Sequence, residues 1–178
     1  PTYHRPRLLE NSIACFLSQN YPKLCKGMMI LDDAWQIRNH TLTYEGWRVK
    51  SIPIRSSSLP IKYNCIVSSM TYGRGDIFMP WEDDDAYLPW HISSHVAALR
   101  ATGALWSKPS RVLSTYTGQP EQEDASGRFF ASIAVTRELW DRVGGIPDTK
   151  RGDFDQQFFA LLRERGGPPV DPLDYSPN

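Results

Sequence analysis

The most constraining stretch of this 178-residue chain is Gly75-Asp76-Ile77-Phe78-Met79-Pro80-Trp81-Glu82-Asp83-Asp84-Asp85, a short apolar run that ends in four consecutive carboxylates. Ile77, Phe78 and Met79 predict a strand buried on both faces, because a run of that length suits an inner parallel strand. Four adjacent acids repel one another, and desolvation raises carboxylate pKa values. A hard divalent cation relieves that conflict; magnesium and manganese take oxygen ligands and leave positions open for a substrate phosphate. In open α/β sheets ligands sit outside the carboxyl ends of the strands, where these acids would project. An acidic run alone is more often a solvated loop, but this one abuts a buried-type strand and leads into Tyr87-Leu88-Pro89-Trp90, a helix entry. It lacks the Gly and distal Glu of an EF-hand loop. Along an extended backbone Glu82 and Asp84 face one way and Asp83 and Asp85 the other, so one pair can meet a metal.

Lys and Arg together number 20, as do Asp and Glu, so the chain carries no net charge. That balance argues against a nucleic-acid polymer as partner, because such binding works through a basic face; a single nucleotide needs only a few local groups. Cys15, Cys25 and Cys65 are widely spaced and form no CxxC pair, which argues against zinc or a disulfide framework and for reduced, partly buried thiols. No run of about 18 apolar residues is present to span a membrane, and no signal peptide opens the chain. A cytoplasmic protein is expected, with peripheral membrane attachment left open. The first residue is Pro, and no strand precedes the first helix, so the chain reads as truncated at its start.

Pro6 suits a first helical turn, and Leu9, Ile13, Phe16 and Leu17 keep helical spacing through Arg7 to Gln19. Met28 to Leu31 predicts a strand closed by Asp32-Asp33. Trp35 to Glu45 reads as a polar connection. Trp47 to Ile54 alternates and reads as an edge strand, since Pro53 cannot donate to a ladder. Ile61 to Tyr72 and Pro89 to Thr102 are expected helices, the second with Ile92, Val96 and Leu99 inward. Arg111 to Thr117 predicts a strand, Gly118 to Gly127 a mobile acidic segment, and Phe129 to Thr136 another strand. Helices follow at Arg137 to Val143 and Asp153 to Arg165, and the Pro-rich end reads as irregular. The expectation is one α/β domain over residues 1–166 with a mainly parallel sheet, then a tail over 167–178.

Asp32-Asp33 and Glu82 to Asp85 both fall at predicted strand ends, hence on one rim of the sheet. An acid there can accept from a base N–H or a ribose hydroxyl, and a metal-binding cluster can neutralise a diphosphate leaving group. Asp153 could deprotonate an acceptor hydroxyl, although its spacing fits a helix N-cap better. His91 and His95, four apart, permit a shared metal, but no third ligand is evident and helix-surface or core use is the commoner fate. Trp81 and Trp90 flank the acids, where core packing is more frequent than stacking on a sugar. Ser126-Gly127-Arg128 falls where an acceptor-side loop would lie.

These pieces together resemble the GT-A glycosyltransferases of family 2. Pro1-Thr2-Tyr3-His4-Arg5 is similar to that family's PTYNR segment, Ser18-Gln19-Asn20-Tyr21-Pro22 to its SQTYP helix end, and Ile30-Leu31-Asp32-Asp33 to its VDD strand end. Glu82 to Pro89 resembles the DxDD…LP metal motif, Arg137 to Gly145 the RREAWERVGG segment, and Gly152-Asp153-Phe154-Asp155 the GEDxD base motif. Glu82 replaces the motif's first Asp, and Gly152 stands where a Glu is expected.

The resemblance implies a GT-A, Rossmann-like three-layer α/β/α sandwich with its first strand missing. It also implies sugar transfer from a nucleotide-diphosphate sugar to a glycan, lipid or protein acceptor, with inversion and with Mn2+ or Mg2+. Pro1, Thr2, Tyr3, Arg5, Asp33, Lys62 and Asp83 would contact the donor, with Asp33 on the base. Asp84 would be the principal metal ligand, assisted by Glu82 and Asp85, and Asp153 the base. A nucleotidyltransferase and a degenerate, non-catalytic nucleotide-sugar-binding module are the competing readings; the first lacks a Gly-rich phosphate loop near the first helix.

Overall fold

The computed structural model describes residues 1–2, 4–34, 41–44, 47–51, 55–70, 73, 75–116, 118–149 and 152–176. The chain divides into two compact units, one of residues 1–72 and 81–93, the other of residues 73–80 and 94–178.

The first unit is built on a mixed sheet. Strand β1 (Met28–Asp32) pairs in parallel with β3 (Trp47–Ser51), and β3 pairs antiparallel with β2 (Thr41–Tyr44). The expected edge strand is therefore the middle strand of the order β1-β3-β2. The described strand ends at Ser51, and Pro53 lies outside the described residues. β2 falls in the stretch read as a polar connection. Helix α1 (Pro6–Leu17) has Pro6 in its first turn, and buries Ser12 and Phe16. Lys26 stops it: its Nζ donates to the carbonyls of Phe16 at 3.0 Å and Gln19 at 2.8 Å, satisfying acceptors a helix end leaves bare. Gln19 is buried and fully used. Its Nε2 donates to Leu88 O at 2.8 Å, and its Oε1 accepts from Ile92 N at 3.0 Å. The SQNYP end of α1 is thus tied to the chain that enters α3 (His91–Thr102). Helix α2 (Leu59–Ser68) starts at Ser58, whose side chain accepts from Ile61 N, and buries Pro60, Tyr63 and Ile66.

In the second unit, β4 (Ile77–Phe78) and β5 (Trp106–Ser107) flank β8 (Ala134–Thr136), both antiparallel to it. The inner parallel strand expected at Ile77–Met79 is corrected to a two-residue antiparallel strand. Strand direction depends on the partner, which here lies far along the chain. Strands β6 (Arg111–Ser114) and β7 (Glu121–Asp124) form a separate antiparallel pair, so part of the segment read as Gly118 to Gly127 is a strand; Asp124 stands opposite Arg111.

Helices α4 (Arg137–Val143) and α5 (Phe154–Gly166) complete the core, in which Trp106, Ile133, Leu139, Phe158, Phe159 and Leu162 are fully buried. Trp140 meets Phe78 at 5.4 Å and Phe158 at 5.7 Å between ring centroids, edge to face. Lys108 is buried among them. Its Nζ donates to Arg128 O and to Ser132 Oγ at 3.2 Å and lies over the Phe159 ring; burial, then Arg163, lowers its pKa to about 8. The tail after Gly166 carries a bridge from Val170 to Ser107 and a 3-10 turn at Pro172–Tyr175, closed by Asp171 on Leu173 N. No helix among the described residues is long and apolar enough to cross a membrane.

Candidate functional site

Thr2 bridges in parallel to Asp32, and its N–H donates to Leu31 O at 3.0 Å. The chain turns into α1 through His4, whose φ of 54° is left-handed. Asn and His tolerate that conformation better than most residues, which gives a backbone reason for the Asn/His position of the PTYNR-like segment. Arg5 follows at the helix start, and its Nη1 reaches Asp83 Oδ1 at 3.1 Å and Asp84 Oδ2 at 2.8 Å. Asp83 is buried and Asp84 exposed, so Arg5 links the inner and outer carboxylates of the turn. Both acids raise the Arg5 pKa, Asp83 most. Tyr3 lies outside the described residues.

Asp33, at the end of β1, is buried with Lys62 Nζ 2.9 Å from Oδ1 and 2.8 Å from Oδ2, while Oδ2 also accepts from Ser56 N at 2.9 Å. Lys62 also lines a cavity of about 490 Å³ with Arg55, Ser56, Ser57, Ser58 and Leu59. Hydroxyls, two cations and the start of α2 make it suited to an anionic, polar ligand. Only Lys62 of this set was singled out in the sequence; the Ser-Ser-Ser run reads there as plain loop.

Burial and then the neighbouring Asp85 and Asp84 push Glu82 up to about 7, as the crowding of four acids predicts. Asp85 is also raised, by burial and Asp84, against the lowering effect of a hydrogen bond from the Tyr87 hydroxyl. Among the described residues no three of His, Cys, Asp and Glu are grouped as a ready ligand set. The His91/His95 alternative does not form. His95 Nδ1 is 2.7 Å from Ser107 Oγ in the second unit, and His91 packs edge-on against Trp81 and Tyr87 in the first. Trp81, half-buried, stacks on Tyr87 with centroids 3.7 Å apart.

Asp153 belongs to the second unit. It occupies the N-cap position of α5, but its side chain makes no capping bond to the helix backbone. Instead its carboxylate accepts from Thr149 Oγ1 at 2.9 Å and Gln157 Nε2 at 3.1 and 3.2 Å. Gly152 takes φ 75°, a left-handed conformation that glycine adopts without strain.

No protein-family profile and no curated protein matches the chain. Solved structures do. Staphylococcus aureus TarS 1-349 superposes with TM-score 0.74 at 13% identity, over 96% of this chain and 56% of that one. The same protein in complex with UDP gives 0.70 at 13% identity, over 93% and 53%. The mannosyltransferase PcManGT from Pyrobaculum calidifontis, in complex with GDP-Man and Mn2+, gives 0.67 at 17% identity, over 95% and 53%. The fold is GT-A-like. The chain spans about half the length of these GT-A-like structures.

Proposed function

We propose that the protein is a glycosyltransferase that moves a sugar from a nucleotide-diphosphate sugar to an acceptor hydroxyl, with inversion and with a divalent cation. The observation that carries the reading is the carboxylate turn of the first unit, where Glu82 is pushed up to about 7 beside Asp84 and Asp85. The GT-A-like fold supports it, as do neighbours holding UDP or GDP-Man with Mn2+.

The residues fit a cation on chemical grounds. The donors are carboxylate oxygens, and Mg2+ is usually held by one or two carboxylates plus substrate phosphates rather than by an all-protein cage. The missing three-residue set is therefore compatible with an ion that arrives with the donor. Asp84, with Glu82 and Asp85, would hold it, and the ion would neutralise the diphosphate leaving group. Pro1, Thr2, Tyr3 and Arg5 border the nucleotide, Asp83 anchors Arg5, and Asp33 with Lys62 faces the base. Asp153 takes the proton of the attacking hydroxyl, which belongs to a glycan, lipid or protein. In the displacement the acceptor oxygen bonds to the anomeric carbon as the bond to the diphosphate breaks.

A second reading, a module that binds the donor without turnover, draws support from the engagement of Asp84 by Arg5. Transfer and donor hydrolysis by the intact protein, with and without Mn2+, separate the two. Normal turnover by an Asp84→Ala variant would remove the metal assignment; donor binding without turnover under every metal condition would favour the module.

A further inference from the structure

Phe129, in the second unit, takes φ 58° and ψ 69°, a left-handed backbone that glycine or asparagine adopts far more easily than an aromatic residue. Such a conformation persists only where the surroundings over-determine it, and it gathers at ligand-binding sites. Here three donors converge on one atom. Phe129 O accepts from Ser132 N at 3.0 Å, from Ser132 Oγ at 2.7 Å and from the buried Lys108 Nζ at 3.4 Å. Lys108 also donates to Arg128 O. None of these bonds needs the Phe129 ring, and core packing does not account for it either. The next residue, Phe130, is the buried one, and meets Phe154 at 5.4 Å and Phe158 at 6.1 Å between centroids. The Phe129 ring stays half-buried. Among the described residues its ring partner is Arg128, whose guanidinium carbon lies 4.8 Å from the centroid and whose Nη1 is held by Glu123 Oε2 at 2.9 Å. Phe154 directly follows Asp153, so the residue after Phe129 packs on the residue after the proposed base. That contact sets the strained turn against the start of α5.

We propose that Phe129 is a binding platform for a sugar ring of a glycan acceptor. Arg128 covers one face of the aromatic ring, and the sugar packs its C–H face on the other. The exposed Ser126 and Arg128 flank the ring with polar groups. An apolar face rimmed by hydrogen-bond donors suits a sugar, which carries hydroxyls around an apolar face, better than it suits a lipid chain. Because the turn is fixed from beneath, the ring loses little freedom on binding. Its place as the acceptor site rests on the glycosyltransferase reading above.

The test uses the full chain and three probes, the tetrasaccharides of glucose, mannose and N-acetylglucosamine, titrated by calorimetry. Phe129→Asn removes the ring and keeps a residue that tolerates the left-handed backbone. The wild type should bind at least one tetrasaccharide, and Phe129→Asn should bind it about tenfold more weakly, the reach of one aromatic contact. Phe129→Tyr keeps the ring and should bind as the wild type does. The melting temperature of Phe129→Asn should stay within about 4 °C of the wild type or exceed it. Unchanged affinity in Phe129→Asn, lost affinity in Phe129→Tyr, or a wild type that binds none of the three probes would each overturn the platform. A larger fall in the melting temperature of Phe129→Asn would do so too, because the ring would then be a packing element. Release of UDP or GDP from its sugar donors without acceptor reads the transferase separately, and should be equal in wild type and Phe129→Asn. Its absence from both, with tetrasaccharide binding as expected, overturns the transfer reading and leaves Phe129 a glycan contact.

Discussion

The ammonium of Lys62 lies 2.8 Å from a carboxylate oxygen of Asp33, and the Asp33 side chain is wholly buried. A charge in that position is tolerated because its partner is present. Lys62→Met removes the partner and, among the described residues, leaves the Ser56 N–H to the carboxylate. We expect a loss of about 3–5 kcal/mol, the usual cost of stranding a buried charge. The double variant Lys62→Met/Asp33→Leu should recover most of that loss. Urea unfolding of the three proteins checks both statements, and a double variant no better than the single would refute them.

His4 provides a backbone test. Its φ of 54° suits Asn and is poor for a β-branched residue. His4→Asn should leave stability within about 0.5 kcal/mol, whereas His4→Val should cost about 1–3 kcal/mol. Thermal unfolding of the pair measures the difference.

Lys108 makes stability depend on alkaline pH. Its folded-state pKa is lowered from 10.5 to about 8 by burial. Below pH 8 the lysine is charged in both states and the burial cost is present in full. Between pH 8 and 10.5 the unfolded chain binds more protons than the folded one, so stability rises with pH across that window. Across the whole window the gain is on the order of 3 kcal/mol, at about 1.4 kcal/mol per pKa unit. Lys108→Met should flatten this rise. Unfolding free energies of both proteins at pH 7.5 and 9.5 give the comparison.

Gly166 closes α5 against a fully buried leucine. A Cβ there would lie 2.5 Å from Leu139 Cδ2 and 2.9 Å from Cδ1. Leu139 is fully buried, so Gly166→Ala should destabilise the protein by about 1–3 kcal/mol despite alanine's better helix propensity. Pairing it with Leu139→Val should recover part of the loss in thermal unfolding.

Where local chemistry sets the outcome, the chain is readable. Arg137–Val143 is helical as expected because Thr136 caps its start on Leu139 N and Gly144 ends it in a left-handed conformation. The strand ending in Asp32 follows from four apolar residues meeting two acids. Thr41–Tyr44 was harder: four residues cannot show a period, although Thr41, Thr43 and Tyr44 carry β propensity. The direction of β4 depends on β8, a partner no local pattern names. In the candidate site the acids announce themselves by crowding, and Lys62 by its place in a family pattern. The hydrogen bond from Glu82 N–H to the Tyr87 hydroxyl does not, since an aromatic residue near a helix entry reads equally well as packing.

The order of residues in the second unit has a consequence for biogenesis. Its sheet takes β4 from residues 73–80 and its other strands from beyond Ser94. On the ribosome β4 emerges long before β8, the strand it must pair with. Two exposed strand residues with an unmade ladder are a small target for a wrong partner, and that brevity limits the hazard of waiting. Expressed alone, a segment from Ser94 onward would leave one side of β8 bare, so neither unit can be cloned out as an uninterrupted stretch of gene.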